Sequence, residues 1–108
     1  MNVVLLHLSS GPAARTRTLS PEMAVDILWA TAVPDDRLEH IRARYGPTPE
    51  HIAVAMFLHE DATGPPPMDT ALGLCHRAIS TSQTFLGWTA EPLVDPLETT
   101  PYQHWKTP

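Results

Sequence analysis

The sequence predicts an α+β domain with the element order strand, helix, strand, strand, helix, strand. Three observations carry this reading. Residues 38–45 and 51–59 are two apolar-alternating runs that pair antiparallel across Pro47-Thr48-Pro49-Glu50, a four-residue loop of ordinary hairpin length. Ser20-Pro21-Glu22 is a helix start, with a serine cap, proline at the first helical position and an acid in the first turn. From Met68, apolar residues recur at 68, 71, 72, 75, 78 and 79, which is one stripe of a second helix.

Taken in order, residues 2–8 are a short apolar run with β-branched residues and are expected to form a strand buried on both sides. Residues 9–19, with Gly11, Pro12, Arg15 and Arg17, form a loop. The first helix runs from Ser20 to about Thr31, with Ala24, Ile27, Leu28 and Thr31 on one side, and must end before Pro34. Asp35 and Asp36 turn the chain into the hairpin.

Antiparallel pairing sets Tyr45 opposite Ile52, Ala43 opposite Val54 and Ile41 opposite Met56, so the large aliphatic residues of the second hairpin strand share one face. The other face gathers Leu38, His40, Arg42 and Arg44 with His51, Ala53, Ala55, Phe57 and His59. A slip of one residue would mix the two sets, so burial of one face fixes the register. Leu38, Ile41 and Tyr45 also fit a helical stripe, but the alternation and the match to 51–59 favour a strand over 37–45. No regular element crosses Gly64-Pro65-Pro66-Pro67. The second helix ends near Ser82, and residues 84–90 are expected to close the sheet.

Residues 91–108 contain four prolines and no period. The expected organisation is a domain over 1–90 followed by a Pro-rich irregular tail over 91–108. Two split βαβ units sharing one antiparallel sheet give the ferredoxin-like sandwich. Right-handed crossovers then place both helices on one face and the first and third strands in the centre.

Composition narrows the function classes. The 108 residues suit a single domain with one modest core, and charged residues at 18% are few because twelve positions are proline. A net charge of −5 argues against non-specific binding to nucleic acid or a membrane surface, both of which need a basic footprint. An RNA-reading sheet of this topology would also want aromatic residues in its first strand, and residues 3–8 have none. Cys75 is the only cysteine, so the chain builds neither an internal disulfide nor a cysteine-based zinc site. Its place on the helical stripe marks it as a buried thiol. Val3-Val4-Leu5-Leu6 is too short for a signal-peptide core, and no window reaches membrane-spanning length, so a cytoplasmic protein is expected.

Function is expected on the sheet face without helices. If His7 points away from the helices, Val3 and Leu5 do too, and with Ala53, Ala55 and Phe57 they form an apolar strip. Such a strip calls for a cover. The candidates are a second copy of the chain, the tail through Leu93, Val94, Leu97, Tyr102 and Trp105, or a ligand or partner protein. Tyr102-Gln103-His104-Trp105 equally suits packing on its own domain or docking into a partner. Arg42 and Arg44 lie across from the two small alanines and suit a planar carboxylate. The plainer reading of these arginines is solvation of an edge strand.

His51 is expected beside His7, and His40 against Phe57. His51 and His59 are eight residues apart on one strand, about 26 Å, and cannot share a metal. No metal site and no cofactor is expected. No nucleophile elbow, Walker loop, dinucleotide fingerprint or His-Glu-x-x-His is present, and Ser9-Ser10-Gly11 with Arg15 and Arg17 is only a weak anion-binding signal.

The resulting expectation is a small non-catalytic accessory protein, with no confident catalytic residue, that self-associates as a homodimer or binds a protein partner through the open sheet face. The alternative is a dimeric enzyme or carrier holding a small anionic organic molecule there. Arg42 and Arg44 would then be anchors, His40 or His59 the proton-transfer group, and Phe57 and Trp88 the walls.

Overall fold

The computed structural model describes residues 1–14 and 19–93. The elements are β1 (Asn2–Ser10), α1 (Pro21–Thr31), a 3-10 turn (Pro34–Asp36), β2 (Leu38–Tyr45), β3 (His51–Leu58), α2 (Pro67–Thr81) and β4 (Trp88–Pro92). All strand neighbours are antiparallel and the sheet order is β2-β3-β1-β4. The first and third strands therefore lie in the centre, as expected.

Local chemistry sets the helix ends. Ser20 Oγ accepts the Met23 N–H at 3.1 Å, satisfying one of the unpaired donors of the first turn of α1. Pro34 ends the helical path, and Arg37 leaves the 3-10 turn in a left-handed conformation, φ 54°. Asp36, buried in that turn, accepts from Val33 N–H at 2.9 Å and pairs with Arg77 of α2 at 2.5 Å. This contact ties the turn to the second helix.

The core is one cluster. Val4, Leu6 and Leu8 of β1, Ile41 of β2, and Ile52, Val54, Met56 and Leu58 of β3 meet Ala24 and Leu28 of α1 and Ala71, Leu74, Cys75 and Ala78 of α2. Each large side chain so buried contributes on the order of 1.5–3 kcal/mol relative to exposure. Both helices thus cover the same sheet face, and they pack on one another as well.

The hairpin register agrees with the sequence reading: Tyr45 pairs with Ile52, Ala43 with Val54 and Ile41 with Met56. Residues 38–45 are a strand. Four details differ from expectation. β1 is buried on its helix side only, with Val3 41% exposed and Leu5 and His7 partly exposed. A bulge between Leu38 and His40 turns Leu38 off the open face, so that it pairs with Leu58 and packs on the core. β3 ends at Leu58, leaving His59 outside the strand.

The last strand is Trp88–Pro92 rather than 84–90. Gly87 adopts φ +88°, and a Cβ there would lie 2.6 Å from the Ala14 backbone, so the chain must turn at this glycine before it can extend. Phe85 enters the core from the turn that precedes it.

No helix among the described residues is long and apolar enough to cross a membrane.

Candidate functional site

The side of the sheet opposite the helices is organised in cross-strand rows, because neighbouring strands place paired residues side by side on one face. The first row is His51, Ser9 and Thr89. The second crosses all four strands as Arg44, Ala53, His7 and Glu91. The third is Arg42, Ala55 and Leu5, with Leu93 donating its N–H to the Leu5 carbonyl at 3.0 Å. The fourth is His40, Phe57 and Val3.

These rows divide the face into two ends. The end bearing Val3, Leu5, Ala55 and Phe57 is apolar along its centre, with His40 and Arg42 on the β2 side. His40 and Phe57 are in tilted ring contact, with centroids 5.4 Å apart. Ala53 and Ala55 are buried, at 7% and 0% exposure, so solvent does not reach the floor between the longer side chains of β2 and β1.

The other end is polar and linked. His7 Nε2 lies 3.0 Å from His51 Nδ1, with the rings within 10° of parallel and their centroids 4.9 Å apart. On its far side, His7 Nδ1 faces Glu91 Oε1 at 3.5 Å, an electrostatic contact longer than a good hydrogen bond. Ser9 Oγ and Thr89 Oγ1 are 3.0 Å apart in the adjoining row. The hairpin holds His51 in place: Gly46 donates its N–H to the His51 carbonyl at 2.7 Å, and the His51 N–H reaches the Thr48 carbonyl at 3.0 Å.

The structure brings together His7, His51, Ala53 and Arg44 at this end, and Arg42, Ala55, Phe57 and His40 toward the other. Two expected site residues lie apart from them. Trp88 is on the helix-covered side, 3% exposed and edge-on to Phe85 with centroids 6.1 Å apart, because Gly87 shifts the strand onset. His59 lies beyond the end of β3, its side chain exposed and 3.6 Å from Glu39. Among the described residues, no group of three or more His, Cys, Asp or Glu is placed to hold a metal ion.

Sequence reasoning missed Glu91, since it fell in the stretch assigned to the tail. Its alternation with Thr89, two positions earlier after Gly87, was the available signal. Arg15, Arg17 and the tail residues Val94, Leu97, Tyr102, His104 and Trp105 lie outside the described residues.

No protein-family model matches the chain, and no curated protein or solved structure matches it either.

Proposed function

We propose that this chain is a small accessory protein of ferredoxin-like architecture that self-associates through the sheet face opposite the helices into a symmetric dimer. The sheet order β2-β3-β1-β4 and the single helix-covered face support the architecture. The observation that carries the dimer is the second row, where Arg44 and Glu91 mark opposite edges of one face. A two-fold axis parallel to the strands, between β1 and β3, lays β2 of one copy over β4 of the other. Arg44 then meets Glu91 of the second copy twice, and the strip of Val3, Leu5 and Phe57 meets itself. A closed two-fold contact requires this kind of self-complementarity.

The test is the mass in solution of the whole chain and of Phe57→Glu. Wild type is expected at about twice 11.9 kDa, and the variant at the single-chain mass with an unchanged circular dichroism spectrum. A wild-type monomer overturns the proposal. If that monomer dimerises when residues 94–108 are removed, the tail is the occupant of the face; if it does not, the face is left to a different partner or ligand.

A further inference from the structure

β4 does not run the length of β1. Its ladder extends from the pair Ser10–Trp88 to the pair Leu6–Pro92, and the Leu93 N–H then reaches the Leu5 carbonyl at 3.0 Å. Beyond Leu5, the residues Val4, Val3 and Asn2 pair with Met56, Phe57 and Leu58 of β3. Among the described residues they have no strand on the β4 side. The chain therefore leaves the sheet in the row of Leu5, at the apolar end of the face opposite the helices. That end presents Val3, 41% exposed, with Leu5 and Phe57 partly exposed beside it.

Fifteen residues, 94–108, follow this point. From β4 to β2 is three strand spacings, about 14 Å. An extended chain covers that distance in about five residues, so the segment is long enough to cross the face with residues to spare. Its composition suits the crossing. Leu97, Tyr102 and Trp105 bring bulky apolar surface, and Asp95 and Glu98 outnumber the single Lys106. The β2 side of the face has the opposite sign of charge, and this match is one of net sign that needs no particular ion pair. Because Leu93 is held beside Leu5, docking is intramolecular, at an effective concentration on the order of millimolar.

We infer that residues 94–108 fold back across Val3, Leu5 and Phe57 of their own chain and compete with the second copy for this face. The competition rests on the dimer reading; the docking does not. Each copy must release its own segment before two faces meet. The dimer is weakened by the square of the fraction of chains with a bare face, so a face bare in about one third of chains weakens it about ninefold. The segment thereby sets the concentration at which the chain pairs, and shields the apolar strip below that concentration.

The test compares the full-length chain with a full-length variant carrying Leu97→Ser, Tyr102→Ser and Trp105→Ser, three positions outside the core cluster. Sedimentation equilibrium over a concentration series gives the two dissociation constants, and the variant is expected to dimerise roughly tenfold more tightly. At concentrations where wild type is monomeric, nuclear Overhauser contacts should join the Tyr102 or Trp105 ring to the methyls of Val3 and Leu5. Isotope filtering of mixed labelled and unlabelled chains should place these contacts within one chain. A folded variant that dimerises no more tightly than a dimerising wild type overturns the inference. So does the absence of the ring contacts, or their presence only between chains. If neither chain dimerises at any concentration, the dimer reading alone fails, and the ring contacts uphold or overturn the docking. They decide in the same way if the variant does not fold.

Discussion

Gly46 and His51 face each other across the hairpin so closely that a Cβ on Gly46 would stand 2.9 Å from the Cβ of His51. Real side chains essentially never approach that near, and neither atom is the free end of a flexible chain, so a substitution must move the backbone. The absence of a side chain at position 46 lets the hairpin close at 2.7 Å between Gly46 N and the His51 carbonyl while His51 still reaches His7. Gly46→Ala is therefore expected to cost about 1–3 kcal/mol of stability, in the range of other overpacked sites. Urea unfolding measures the cost. A variant as stable as wild type would show that the hairpin has room to give.

Cys75 sits on the inner side of α2, 1% exposed, and burial pushes its thiol up to about 12. Its thiolate is the reactive form, and burial suppresses it as well as access to it. Iodoacetamide at pH 8 is expected to leave Cys75 unmodified in the native chain and to alkylate it fully in 6 M guanidinium, as read by intact mass. Rapid alkylation under native conditions would mean that α2 opens readily from the sheet.

Asp61 titrates below its ordinary value of 3.8 because the backbone N–H and the hydroxyl of Thr63 both hydrogen-bond its carboxylate, with Arg37 adding a smaller attraction. Its preference for the charged form favours the fold above pH 3.8, and that contribution fades as the pH falls through the lowered native value. The side chain stands at the surface in contact with solvent, so the effect on global stability is small. Carbon-13 titration of the Asp61 carboxyl is expected to give a midpoint below 3.8. Thr63→Val should raise that midpoint without returning it all the way, since the backbone hydrogen bond and Arg37 remain. A midpoint unmoved by Thr63→Val would assign the depression to the backbone and Arg37 alone.

Much of the fold is legible in the chain because its signals are local or strictly periodic. Ser20 and Pro21 mark the helix start by cap chemistry alone, and the cap is made as written. Ile52, Val54, Met56 and Leu58 alternate without a break, so the period of two fixes which face is buried and hence the pairing with residues 41–45. Proximity of His7 and His51 follows from the same arithmetic once the first and third strands are neighbours.

Tertiary structure alone decided the features that local patterns do not encode. Leu38 reads as an open-face residue until a bulge inserts Glu39 into the strand, and a bulge depends on how the partner strand and the Arg37 turn meet. Phe85 and Leu86 read as strand until the left-handed Gly87 beside Ala14 delays extension by several residues, which sends Trp88 into the core and brings Glu91 beside His7. The chain's own order thus determined the sheet, its helical cover and one histidine pair. Which carboxylate completes that pair was set by a non-local backbone contact, and a non-local contact leaves no period in the sequence to read.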